Sequence, residues 1–304
     1  MNIRQLRIFL AVVDNEGVGR AASALFMAQP AVSQTLRQME RHFRAALFER
    51  MGRRIVLTEA GEALVGPARR ILRDLDIAEE AVASVRSLEF GTMRVTSLPS
   101  LSLDPLPELL ATFCRRHPNI YVKAAVDFDT AHVLEAVRSA TADIGLTTEL
   151  DLERVEGLAT KRIGSQELTL AFPPGIPVPT SAEAALELLQ ELPFVAAIPG
   201  TRTRALLDTI VASGIKVRVV AEVMNREMVV LLITKGVGCG IVASPYTERI
   251  REAGGTIVSL SPPHTVPVHA VYRRGATAPA TSAFLAIMAG EPAQDDRPDD
   301  VSRP

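Results

Sequence analysis

Gln29, Ser33, Gln34 and Arg37 recur in QPAVSQTLRQME at spacings that put them on one helical face, while Val32, Leu36 and Met39 form the opposite apolar stripe at i, i+4 and i+7. Glutamine can pair bidentately with adenine, arginine with guanine, and serine with a base or a phosphate. Pro30 is tolerated in a first helical turn, where its missing N–H had no intrahelical partner. Farther along, Arg50, Arg53 and Arg54 flank Met51-Gly52 between apolar Leu47-Phe48 and the strand-like run Ile55-Val56-Leu57. That pattern predicts a short hairpin with arginine at its tip, suited to phosphates and to a narrow, electronegative minor groove. A merely solvated polar face would use the same residue types.

These side chains need a scaffold. Ile3, Leu6, Phe9, Leu10 and Val13 have helical spacing, and Asn2 can cap the start. A second helix is expected from near Gly19 through Ala21, Ala22 and Leu25, with Phe26-Met27-Ala28 as the turn into the polar-faced helix. Residues 1–58 thus predict a mainly α winged helix-turn-helix. They hold nine arginines and four acids, a net of +5, which leaves −7 for the other residues of a chain of net charge −2. A basic head on an acidic body fits a DNA-binding module joined to one that does not bind DNA.

The order of AA-containing helix, QPAVSQTLRQME, LFER and GRRIVLTEAGE resembles the LysR-type transcriptional regulators over the first 65 residues. The resemblance implies that Gln29, Pro30, Ser33, Gln34, Arg37 and Arg53 face DNA. Three positions depart from the family pattern: Gly19 and Ala28 replace hydroxyl caps, and Arg44 replaces a glycine. A lost cap costs about 1 kcal/mol.

Thr58 can cap a further helix over 59–90, with Glu59 and Glu62 well placed in its first turn. Leu64, Ala68, Ile71, Leu75, Ala78, Val82 and Val85 follow at alternating spacings of four and three, an a/d heptad stripe that suits dimerisation. Gly66-Pro67 should weaken or kink it. The resemblance implies a helix that pairs two heads in a homodimer, or a homotetramer built as a dimer of dimers.

Beyond Gly91, strand and helix patterns alternate as βαβαβ, which predicts parallel sheets covered by helices. Residues 91–162 with 267–290 form one expected lobe and 163–266 a second, with crossings near 162–165 and 261–267. GTMRV, FCRRHPNI, ADIGL and ITKGVGCGIV resemble the effector-binding domain of the same family, which implies an α/β two-lobed, periplasmic-binding-protein-like fold. Ligands bind such folds outside the carboxyl ends of the strands. The candidates there are Ser97, Ser100, Thr130, Thr147, Thr148, Thr201, Arg202, Thr203 and Ser244. Hydroxyls, helix N-termini and an arginine suit a small carboxylate or amino acid, although each hydroxyl could simply cap a helix. Gly236, Gly238 and Gly240 spell GxGxG, but a helix precedes them and a strand follows, the reverse of a dinucleotide-binding loop.

The rest of the chain narrows the classes. With 47% hydrophobic and 22% charged residues it should fold around a core. It shows no secretion signal and no membrane-spanning run, which reads as cytoplasmic. Cys114 and Cys239 lie far apart and are expected to be buried thiols. The five histidines have no metal-ligand spacing, and no cofactor is indicated. His117 and His132 have no evident catalytic partner. Residues 291–304 read as a disordered acidic tail. The expectation is a sequence-specific DNA-binding transcriptional regulator of promoter DNA, controlled by a small-molecule effector. The alternative is a solute-binding or enzymatic α/β protein with a structural helical head.

Overall fold

The computed structural model describes residues 1–51, 54–84, 91–148, 155–275 and 277–289. Arg53, Val85 and the tail 291–304 lie outside them. The first helix, α1 (Ile3–Asp14), begins in a reciprocal capping box: Asn2 Oδ1 accepts from the Gln5 N–H at 3.0 Å, and Gln5 Oε1 accepts from the Asn2 N–H at 3.0 Å. Helices α2 (Val18–Ala24) and α3 (Gln29–Phe43) pack on it around Leu6, Phe9, Ala21, Val32, Leu36 and Met39. The second helix starts one residue earlier than expected, so Gly17 occupies its cap position and Gly19 lies inside it. Ala28 stands at the cap position of α3 and makes no side-chain cap, as the sequence suggested.

Strands β1 (Phe48–Met51) and β2 (Arg54–Leu57) pair antiparallel as the wing. Glu40 of α3 anchors it by accepting from the Leu47 N–H at 3.1 Å. Thr58 Oγ1 accepts from Gly61 N–H at 3.1 Å and donates to the Ala46 carbonyl at 2.6 Å, starting α4 (Glu59–Ser84) against the wing. A Cβ on Gly61 would collide with the Leu47 carbonyl, so only glycine permits that approach. The helix continues through Pro67 without the expected interruption. Ala68 and Leu72 pack on the head core immediately after it and hold the helix across the missing hydrogen bond.

The body holds one mixed eight-stranded sheet in the order β4-β3-β5-β10-β6-β9-β7-β8. Its strands are β3 (Gly91–Ser97), β4 (Ile120–Val126), β5 (Ile144–Thr148), β6 (Leu158–Phe172), β7 (Pro193–Ala197), β8 (Arg218–Val223), β9 (Cys239–Ala243) and β10 (Thr256–Arg273). Helices α5 (Leu106–Arg116), α6 (Thr130–Arg138), α7 (Ala182–Leu188), α8 (Arg202–Ala212), α9 (Arg226–Thr234), α10 (Thr247–Glu252) and α11 (Pro279–Met288) complete it. The expected parallel pairing holds within each lobe, for β3 with β4 and β5 and for β7 with β8 and β9. The middle differs. β6 and β10 are long strands that pair with each other antiparallel and run through both lobes. Two separate cores flank this ribbon, one around Met93, Phe113, Ile144 and Phe284 and the other around Phe172, Phe194, Ile233 and Ile241.

A buried ionic contact fastens α4 to the body. Arg73 Nε and Nη2 donate to the two oxygens of Asp143 at 2.8 and 3.1 Å, and Nη2 also reaches the Thr92 carbonyl at 3.2 Å. Asp143 Oδ2 accepts a further N–H, from Arg94, at 2.9 Å. At 2% and 5% exposure these are the fully buried charged residues among those described. Removing one partner of such a pair leaves a buried charge uncompensated, at a cost of about 3–5 kcal/mol. Arg73→Ala should therefore lower stability by that amount in chemical denaturation, and adding Asp143→Ala should recover part of the loss. Additive losses would show that the pair is not coupled.

Candidate DNA-reading face and effector cleft

The head presents Gln29, Pro30, Gln34 and Arg37 exposed on α3, with Ser33 half-buried beside them. Arg50 is exposed on β1, and Arg54 is placed by its backbone pairing with Met51. Among the described residues neither Arg37 nor Arg50 forms an ion pair. Both cations are therefore available to an external polyanion, on a helix whose apolar side is locked into the core by Val32, Leu36 and Met39.

The heptad stripe divides between two uses. Ala68 is fully buried in the head core, so it is spent inside the chain and cannot serve a dimer seam; Leu64 is half-buried against the same core. Ile71, Ala78 and Val82 are exposed and Leu75 is half-buried. Arg69 pairs with Asp14 of α1 at 2.5 Å, so the first half of α4 is rigidly part of the head.

The body has a cleft across the β6–β10 ribbon with two compartments. The inner chamber, about 470 Å³ including space open to solvent, is lined by Ser100, Thr148, Gln166, Arg202, Thr203, Arg226 and Tyr246 among aliphatic walls. The mouth, about 1110 Å³ open to solvent, is lined by Phe128, Asp129, Thr130, Thr201, Arg202, Met224 and Arg226. Thr130, Arg202 and Arg226 are the first residues of α6, α8 and α9, so three helix N-termini converge here. First-turn N–H groups lack intrahelical acceptors and carry the positive end of the macrodipole. The cap of α6 is Asp129 rather than Thr130, and its Oδ1 accepts from the His132 N–H at 2.9 Å. Thr130 Oγ1 instead meets Thr147 Oγ1 at 2.7 Å.

Several sequence expectations are corrected here. Ser97 and Thr147 are fully buried, and Ser244 is half-buried at the start of a single 3-10 turn; none of the three lines either compartment. Strand ends pack tightly enough to bury their first polar residues. His132 does have an acidic partner: its Nδ1 lies 2.9 Å from Asp129, which raises its pKa, but the pair is exposed. Cys114 is exposed on α5, not buried. Cys239 is buried, donates to the Pro193 carbonyl at 3.3 Å, and its thiol is pushed up to about 12 by desolvation.

The residues that sequence reasoning missed are the most informative ones. Arg226 lines both compartments beside the Tyr246 phenol, and among the described residues no carboxylate forms an ion pair with it. Burial lowers the pKa of both Arg226 and Arg202 from the ordinary guanidinium value, a cost that a bound anion would offset. Tyr246 is pushed up to about 12, mainly by desolvation, so its hydroxyl stays protonated. One signal existed: Asn225-Arg226 repeats the cap-then-arginine pattern of Thr201-Arg202. No metal-ligating cluster occurs among the described residues, and no helix is long and apolar enough to cross a membrane.

A helix-turn-helix head on a two-lobed body with a cationic cleft defines a ligand-responsive DNA-binding protein. Comparisons with known proteins agree. A family model described as "Bacterial regulatory helix-turn-helix protein, lysR family" matches residues 3–62, and one described as "LysR substrate binding domain" matches 86–292. The chain belongs to the LysR family of transcriptional regulators, with a DNA-binding head and an effector-binding body, and is not an enzyme. It is 29% identical over 299 residues to a RuBisCO operon transcriptional regulator of Allochromatium vinosum, covering 97% of each chain. Its fold is similar to a full-length OxyR variant from Pseudomonas aeruginosa (TM-score 0.74, 17% identity, 95% of this chain and 94% of that one). It is also similar to full-length CbnR complexed with its target DNA (TM-score 0.69, 21% identity, 95% of this chain and 99% of that one).

Gln34→Ala should cost about 1–3 kcal/mol on the preferred site and little on scrambled DNA. Arg50→Ala should weaken binding to both and reduce the salt slope by about 1. Gel shifts over a range of salt concentrations check both; equal losses on the two DNAs for Gln34→Ala would remove it from base readout.

Proposed function

We propose that the chain is a sequence-specific, cytoplasmic regulator whose affinity or geometry on promoter DNA changes when a small anion, a carboxylate or an amino acid, occupies the cleft between the lobes. The observation that carries this reading is Arg226, a cation without a carboxylate partner among the described residues, beside Arg202 at the converging N-termini of α6, α8 and α9. An anion there gains two guanidinium groups and the positive ends of three helix macrodipoles. Closure bends the β6–β10 ribbon, which carries the chain between the lobes.

The signal has a short route to the DNA. β5 ends at Thr148 in the cleft and is preceded by Asp143, which grips Arg73 of α4. A shift of β5 therefore moves α4 and with it the head. The ligand can do this only through different affinity for the two arrangements. Ile71, Ala78 and Val82 on the exposed side of α4 pair two heads in a homodimer, and a two-fold pair of heads reads two related half-sites. The likeness to the Allochromatium regulator makes a RuBisCO operon promoter the first target to test.

Thermal-shift screening of the full chain against carboxylates and amino acids, followed by gel shifts with the hits, tests the cleft reading. Arg226→Met should abolish the shift for every hit and leave DNA binding without ligand intact; hits that still bind this variant would move the site elsewhere. Replacing Ile71 and Val82 together by Glu should give a monomer in sedimentation equilibrium with at least about tenfold weaker promoter binding, because only one half-site contact remains. An unchanged oligomer would place the seam on another face.

A further inference from the structure

The inner chamber carries polar demands that an anion at the mouth does not meet. Gln166 and Tyr246, each 3% exposed, both line it, and Gln166 Oε1 and the Tyr246 hydroxyl oxygen have no hydrogen-bond partner among the described residues. The Gln166 amide cannot simply flip to relieve this. Its Nε2 is committed to the Asp104 carbonyl at 2.9 Å and approaches the Ser100 carbonyl at 3.5 Å, which leaves Oε1 as a fixed acceptor. A buried acceptor left unmet is costly, and such groups mark where a ligand or water binds. The rest of the chamber wall is largely aliphatic, including Leu168, Val229 and Ile241.

Resting on the cleft reading above, we infer that the effector is two-ended: a carboxylate or phosphate held at the mouth by Arg202 and Arg226, an apolar body, and at its far end a hydroxyl that donates to Gln166 Oε1 and meets the hydroxyl of Tyr246. A plain carboxylate of the same length leaves Gln166 Oε1 unmet, and a neutral alcohol leaves Arg226 without an anion. The chamber therefore selects for both ends at once. Asp129 at the mouth has its Oδ1 held by the His132 N–H and ring, so its charge is partly offset within the chain. Selection of this kind is sharp, since a site built to bond a hydroxyl rejects the analogue that lacks it.

The test measures binding of matched pairs to the full-length protein by calorimetry: 4-hydroxybenzoate against benzoate, and 4-hydroxyphenyl phosphate against phenyl phosphate. In at least one pair the hydroxylated member should bind at least about tenfold tighter, one lost hydrogen bond to a buried group being worth that much. The better pair identifies the anion as carboxylate or phosphate. Tyr246→Phe, which keeps the ring and its packing, should shrink the preference to about twofold while leaving the unhydroxylated partner's affinity unchanged; Gln166→Leu should do the same. Equal binding of both members of every pair, lost in Arg226→Met, would overturn the two-ended ligand and leave the anion cleft standing. Absence of any Arg226-dependent binding would overturn both.

Discussion

The structure depends on the buried contact between Arg73 and Asp143. The head packs against the first half of α4, and the body grips the second half through this bidentate pair. Two charges removed from water gain little net stability against an apolar pair of the same volume. What they fix is geometry. A guanidinium in a carboxylate fork tolerates little rotation, so the direction in which α4 leaves the body is set within narrow limits. Arg94 and Asp76 add a looser contact at 3.7 Å farther along the helix, and Arg70 approaches the Arg138 carbonyl at 3.5 Å. The ion pair is the rigid joint, and these surface contacts steady it.

The cleft and the joint lie at opposite ends of β5, a strand of five residues between Asp143 and the mouth. At about 3.3 Å per residue the two ends are some 16 Å apart. No soft element intervenes: β5 is buried along its whole length and pairs with β3 on one side and β10 on the other. Close-packed interiors transmit displacement instead of absorbing it. The same economy appears where β9 meets β7. Gly238 sits so close to the Pro193 carbonyl that a side chain there would push the second lobe's strands apart. In the GxGxG run Gly238 and Gly240 thus serve packing, and Gly236 takes the left-handed backbone of the turn.

Much of this was legible in the sequence. Asn2 and Thr58 are capping residues at the positions their chemistry suits, and the stripe Val32, Leu36, Met39 fixed which face of α3 turns outward. The candidates Arg202, Thr203 and Thr148 reach the cleft because strand ends and helix starts meet there. What was not legible depends on pairing across long sequence separations. Arg73 lies 70 residues from Asp143 and, in a heptad reading, looks like a solvated position. Gln166 sits in a crossing strand whose apolar pattern begins only at Leu168, so nothing local marks it as lining a chamber. Ala68 fitted the heptad, but its small side chain lets the helix settle on the head core, and that use wins.

The central claim is that the cleft and the DNA-reading face are energetically coupled through this joint. The direct measurement is the change in affinity for a cleft anion, identified by thermal shift, when promoter DNA is bound, in the wild type and in a double variant replacing Arg73 by Met and Asp143 by Leu. Because coupling is reciprocal, DNA and ligand must alter each other's binding by the same factor. The account predicts a factor of at least about fivefold in the wild type. In the double variant, which keeps both binding sites, that factor should fall to near one. An equal factor in the two proteins would show that the signal travels by another path.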